Sequence, residues 1–201
     1  WYPKKYKSMG LELVKEIKPP RVQAVNKYAP GVAGLYAANV IYAIYDNSFM
    51  HKGKSGFLIS CEGIVTDTQA QMKNMNCNKE YVEWVKADKY VPVTLDLVRD
   101  VKKTGDSEVT VSYWNGLSVV IPAEKYCDIL YQVLTNLQQD ICECAERSTE
   151  EFMKDLEQKR KSITKANVDV IYRYVCGGSR RAMLEYARYL WHSMDAPAGS
   201  R

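Results

Sequence analysis

The spacing of apolar and polar positions changes character twice along the chain. From Ala38 onward, Val40, Ile41, Tyr42, Ile44 and Tyr45 form a β-branched and aromatic run, which predicts a strand ending at the turn formers Asp46-Asn47. Phe57 to Cys61 predicts a second strand. Glu62-Gly63 is a tight turn, and Ile64-Val65-Thr66 predicts a third strand. Residues 67–80 are polar, with Gln69, Gln71, Asn74, Asn76 and Asn78, and predict a loop with at most one helical turn; Tyr81 to Trp84 predicts a short strand. Tyr90-Val91-Pro92-Val93 then leads into Leu95, Leu97, Val98 and Val101, with Pro92 restricting its strand to an edge or entry position. Thr104-Gly105-Asp106 is a hairpin turn. Beyond it Val109, Val111 and Tyr113 alternate with Thr110, Ser112 and Trp114, and Asn115-Gly116 joins that run to a return strand, Leu117 to Ile121, closed by Pro122. Asn-Gly between two alternating runs is the strongest hairpin signal in the chain.

The period then moves from two to about 3.6. Tyr126, Ile129, Leu130, Val133, Leu134 and Leu137 share one face of a helix predicted over 123–140, running on toward Ala145. Ser148-Thr149-Glu150-Glu151 predicts a new helix start, with Ser148 or Thr149 as its cap and Phe152, Leu156 and Ile163 as a sparse apolar stripe. Val168 to Cys176 predicts another helix, stopped by Gly177-Gly178. Ser179 is expected to cap a last one, Arg180 to Met194, with Met183, Leu184, Ala187 and Leu190 facing inward. Ahead of the strands, Met9, Leu11, Leu13, Val14 and Ile17 suit two or three helical turns stopped by Pro19-Pro20, and Arg21 to Tyr28 suits a second short helix. The expected organisation is a lead over 1–37, a strand-rich domain with its helix over 38–142, a helical extension over 146–195 and a small-residue tail over 196–201.

Several antiparallel strands followed by one amphipathic helix resemble the element order of pleckstrin-homology-like (PH-like) barrels, in particular bacterial PH-like domains. The residues that carry the resemblance are Asp46-Asn47-Ser48-Phe49, Gly53-Lys54-Ser55-Gly56, Phe57-Leu58-Ile59-Ser60 and Glu62-Gly63-Ile64. Tyr90-Val91-Pro92-Val93, Val98 to Lys103 and Val119-Val120-Ile121-Pro122 look like the strands that follow, and residues 123–139 like the capping helix. The resemblance covers about half the chain. It implies an α+β fold: a small, strongly bent antiparallel PH-like β-barrel or sheet, plugged by one helix, with a helical C-terminal extension. It also implies a binding platform.

Composition narrows the classes. The chain has 201 residues, 28 Lys+Arg against 24 Asp+Glu, 46% hydrophobic and 26% charged residues, which excludes whole-chain disorder. A net charge of +4, with acids mixed through the basic stretches, argues against a dedicated nucleic-acid binder. No run of eighteen apolar residues suggests a membrane span, and the first residues hold no signal-peptide core. The six cysteines include one CxC, Cys142-Glu-Cys144, without a partner pair at zinc-like spacing. Reduced thiols in a cytoplasmic protein, with no metal and no cofactor, are the expectation. Aromatic usage is the outlier: 15 Tyr and 4 Trp against 3 Phe.

Candidate chemistry is sparse. Gly53-Lys54-Ser55 resembles the end of a phosphate loop, but Ser48 stands where that loop needs glycine and a strand follows instead of a helix. His51, Lys52 and Lys54 cluster in an expected inter-strand loop, where in PH-like folds anionic head groups can bind; with Lys102 and Lys103 they form a candidate lipid-binding set. Lys154, Lys159, Arg160, Lys161 and Lys165 alternate with acids at helical ion-pair spacing and read as a solvated face. Arg180, Arg181, Tyr186, Arg188, Tyr189 and Trp191 form a basic-aromatic helix, an interface-like composition and a candidate partner-binding set. No catalytic constellation emerges, since His192 and Cys176 are the one His/Cys couple in a single region. The leading expectation is a non-catalytic adaptor working through a protein partner. A peripheral membrane adaptor and a small enzyme on an unrelated α+β fold are the alternatives, and a homo-oligomer is compatible with either binding role.

Overall fold

Eight strands and three α-helices carry the described part of the chain in a computed structural model, which describes residues 7–16, 18, 41–48, 55–60, 63–67, 71–73 and 93–194. The strands are β1 (Glu12–Leu13), β2 (Ile41–Asp46), β3 (Gly56–Ser60), β4 (Gly63–Thr66), β5 (Gln71–Lys73), β6 (Val98–Thr104), β7 (Glu108–Tyr113) and β8 (Ser118–Pro122). The helices are α1 (Cys127–Gln158), α2 (Val168–Cys176) and α3 (Arg180–Met194). This is the α+β architecture expected from the pattern. All pairings are antiparallel, in two four-stranded sheets ordered β1-β2-β3-β4 and β5-β8-β7-β6.

The chain divides into two compact units, residues 1–137 and 138–201, and the division falls inside α1. In the first unit the period-2 pattern decides which residues are inside. Val109, Val111 and Tyr113 are buried on β7 while Thr110 and Ser112 are half-exposed, as alternation requires. Phe57 and Ile59 of β3 and Ile64 of β4 join them in one apolar cluster with Val101, Val119 and Ile121. The apolar face that opens α1 (Cys127, Leu130, Val133, Leu134 and Leu137, with Tyr126 just ahead) completes that cluster. The opposite face of the first sheet is buried too: Ile44 stands opposite Leu58, and Leu58 opposite Val65, in one row that is almost wholly inaccessible. A near-continuous apolar run such as Phe57-Leu58-Ile59 is the sequence form of a strand covered on both faces.

Two glycines are required where strands meet. Gly56 has φ +139, and a Cβ there would stand 2.0 Å from the Tyr45 carbonyl oxygen. Gly63 has the same φ, and its Cβ would stand 2.2 Å from Val93 O. That second approach lets Ile64 and Val93 exchange backbone bonds: Val93 N–H donates to Ile64 O at 2.7 Å, and Ile64 N–H to Val93 O at 3.0 Å.

Four expectations are corrected. The helix expected over Met9–Ile17 is absent: Gly10 takes φ +85, Glu12–Leu13 pair with β2, and Val14–Glu16 make one 3₁₀ turn. Leu11 is buried through this route without any helical face. Within the expected 67–80 loop, Gln71–Lys73 pair through the backbone with β8 and form the edge of its sheet. No helix begins at Ser148 or Thr149, because α1 runs unbroken through both; Thr149 is buried and its hydroxyl lies 2.7 Å from Ala145 O, one turn back. Finally, Leu184, Ala187 and Leu190 of α3 are exposed instead of inward; the buried residue of that helix is Ala182. The expected Arg21–Tyr28 helix and Tyr81–Trp84 strand lie outside the described residues.

Candidate functional site

The second unit has few large apolar groups to build with. Between Gln138 and Met194 the buried apolar residues are Ala145, Leu156, Ile171 and Ala182. Aromatic edges add to this, with Phe152 against Tyr174 at 6.3 Å and Tyr172 against Tyr186 at 5.4 Å between ring centres. What fixes α3 is polar. Ser179 is fully buried, and its Oγ accepts from Ala182 N–H at 3.0 Å, an N-cap bond at the position expected from the sequence. The same Oγ donates to Glu146 Oε2 at 2.9 Å, while Glu146 Oε1 accepts from Arg180 N–H at 2.7 Å. Thr149 Oγ1 stands 3.0 Å from Ser179 Oγ. Glu146 therefore answers two groups at the start of α3, and a carboxylate there also suits the helix dipole. Gly177 gives the room: a Cβ on it would meet Ala145 Cβ at 2.7 Å.

Held in this way, α3 turns an apolar stripe outward. Leu184, Ala187, Trp191 and Met194 follow the spacing i, i+3, i+7, i+10, which puts them on one face. Leu184 is 52%, Trp191 70% and Met194 78% exposed. Leu190, 42% exposed, and half-buried Met183 border one side of the stripe. Arg181 and Arg188, seven residues apart, border the other, and Arg180 lies at its start; all three are exposed. Arg188 Nη1 meets Glu185 Oε1 at 2.8 Å, whereas Arg180 and Arg181 form no ion pair among the described residues.

The candidate partner-binding set thus separates. Arg180, Arg181, Arg188 and Trp191 lie on or beside the exposed stripe. Half-buried Tyr186 and Tyr189 share the face of Ala182 on the other side of the helix. The sequence reading missed Leu184, Ala187 and Met194 as members of the outer face. Their heptad spacing with Trp191 was the available signal. Glu146, Thr149 and Ser179 converge across 30 or more residues of sequence, which no local pattern shows.

Of the candidate lipid set, His51, Lys52 and Lys54 lie outside the described residues. Lys102 Nζ is 2.7 Å from Asp100, and Lys103 Nζ is 2.7 Å from Asp128 and 3.7 Å from Asp106. The hydrogen bond to Asp128 raises the Lys103 pKa above its ordinary value. Both lysines sit on β6, an edge strand, with a carboxylate beside each.

Thiol chemistry finds little support. Burial pushes the thiols of Cys127 and Cys142 up, and the charge of Glu146 adds to this at Cys142. A raised pKa suppresses the thiolate that a nucleophile needs. Cys176 closes α2, whereas His192 lies twelve residues into α3, about 18 Å along that helix from its start. Among the described residues no group of three His, Cys, Asp or Glu is placed to hold a metal ion, and no helix is long and apolar enough to cross a membrane. No family model matches the chain, and no curated protein or solved structure is similar to it.

Proposed function

We propose that the chain is a non-catalytic binding module acting in the cytoplasm, with a PH-like first unit and a protein-docking helix, α3, in the second. The observation that carries this reading is the exposed stripe Leu184–Ala187–Trp191–Met194 with arginines along one side. Scattered exposed apolar residues are ordinary, but a contiguous aromatic and aliphatic row beside arginine has the composition of a protein interface. Trp191 is the expected anchor, since tryptophan and arginine dominate binding energy at such surfaces. The two antiparallel sheets joined to the apolar opening of α1 support the PH-like reading of the first unit. No described feature favours the lipid alternative, whose described lysines each hold a carboxylate.

The test is affinity capture from the native host with wild type and with Leu184→Ala/Trp191→Ala. Both side chains are exposed, so the variant is expected to unfold with the wild-type midpoint. A protein retained by wild type and lost with the variant supports docking through α3. Identical capture by both, or enrichment of nothing over a bead control, counts against it.

A further inference from the structure

Resting on that reading of α3 as a docking helix, we infer that its partner is an amphipathic helix with acidic residues along one flank of its apolar seam. The argument is one of charge and register. With Leu184, Ala187, Trp191 and Met194 as seam positions, the two flanks of α3 differ chemically. One flank is Arg181 and Arg188, a heptad apart; the other is Met183 and Leu190. In paired helices, residues beside the seam face their counterparts on the partner and set its charge and orientation. The Arg181–Arg188 row therefore favours carboxylates seven residues apart, most strongly opposite Arg181, since Arg188 already shares its charge with Glu185, and the Met183–Leu190 row favours apolar or neutral neighbours.

A second copy of this chain fits poorly. An antiparallel pair of α3 helices would set arginine row against arginine row, and a parallel pair would set arginine against Met183 and Leu190. Glu185 cannot serve as the missing acid, because it lies beyond the arginine flank, already meets Arg188, and its side chain is only 17% exposed. An anionic bilayer also fits poorly. A helix lying in a membrane surface presents cations over its whole polar side, with the apolar face sunk below. Here the polar side is taken up by Ala182, Tyr186 and Ser179 packing within the second unit, and cations edge the stripe on one side only.

The experiment uses the full chain and two labelled synthetic helical peptides followed by fluorescence anisotropy. The peptides share one Leu/Ala seam and differ only at the flanking positions, Glu in one and Lys in the other. The Glu peptide is expected to bind about tenfold more tightly than the Lys peptide at low salt, with the gap narrowing as salt screens the rim pairs. Arg181→Glu/Arg188→Glu, which changes exposed residues, should reverse the order. Equal binding of both peptides would overturn the acidic-partner inference while leaving α3 as a docking helix. Binding of neither peptide would overturn both. Binding of neither, with salt-sensitive co-sedimentation on vesicles containing phosphatidylserine, would overturn the inference in favour of a membrane. Concentration-dependent dimerisation by ultracentrifugation, abolished by Trp191→Ala, would overturn it in favour of a second copy.

Discussion

The two units of this chain handle apolar surface in opposite ways. Among the described residues, the first buries twenty-four hydrophobic ones and leaves two large ones, Tyr42 and Trp114, substantially exposed. The described residues of the second include four that are buried and five large ones that are exposed: Tyr172, Leu184, Leu190, Trp191 and Met194. The difference follows from how each is held together. In the first unit, strand alternation and the α1 face deliver side chains to one cluster, so burial itself is the stabilising term, roughly 25 cal/mol for each Å² removed from water. In the second, the Glu146–Ser179–Thr149 hydrogen bonds and a small Ala145–Gly177 contact fix α3. Its outer face is free to carry residues chosen for something other than folding.

If that contrast holds, backbone-limited positions in the first unit should be the most sensitive in the molecule. Gly63→Ala drives a Cβ into the Val93 carbonyl at a positive φ, and is expected to cost about 3 kcal/mol or more, read as loss of the cooperative unfolding transition. Leu134→Ala, at a wholly buried position of α1, should cost ~2–5 kcal/mol by chemical denaturation. Trp191→Ala removes a larger side chain and should stay within about 0.5 kcal/mol of wild type, because nothing is uncovered that was covered before. A large loss from Trp191→Ala would break the contrast.

The polar lock sharpens it further. Ser179→Ala leaves Ala182 N–H without its cap and removes the Ser179 donor from Glu146 Oε2, and should cost ~1–2 kcal/mol. Hydrogen exchange should show the loss in 179–194 and not in the strands. A loss spread evenly over both units would merge them into one cooperative body.

Smallest is the alkaline dependence. The pKa values of Tyr45, Cys127 and Cys142 are raised by burial, and that of Lys103 by its bond to Asp128. A raised folded-state value means that the contribution is complete below the unfolded pKa and declines as pH rises toward the folded one. Stability should therefore be flat through neutral pH and fall above about pH 9, where an unfolded thiol ionises first. A fall on the acid side of that range alone would contradict these assignments.

Much of the first unit was legible because its signals are local. Alternation in Val109–Tyr113, the Asn115-Gly116 turn and the apolar face of residues 126–137 each specify an element within a few residues. Gln71–Lys73 escaped notice because an edge strand is made by its neighbour β8 and carries no apolar code of its own. Thr149 misled because its hydroxyl, which has the chemistry of a helix cap, is instead satisfied by Ala145 O and Ser179 within a continuous helix. The α3 faces were exchanged for a related reason: its apolar residues are more conspicuous than Ala182, yet the small Ala182 sits wholly buried. The tyrosine excess was informative only in part. Tyr45 stacks on Phe57 in the first core and Tyr126 packs against it at a tilt, with Tyr126 Oη donating to Asp67, while Tyr186 and Tyr189 back α3 instead of forming its exposed stripe.

Trp114 and Trp191, the two tryptophans among the described residues, offer the most direct test, because both are exposed and they lie in different units. Trp114 sits at the β7–β8 turn and Trp191 on the outer stripe of α3. A photocrosslinking amino acid placed at each position in turn, in the native host, reads what each unit touches. The account predicts a discrete protein adduct from position 191 and none from position 114. An adduct from position 114 with none from 191 would move the docking surface to the strand-rich unit and contradict the central claim.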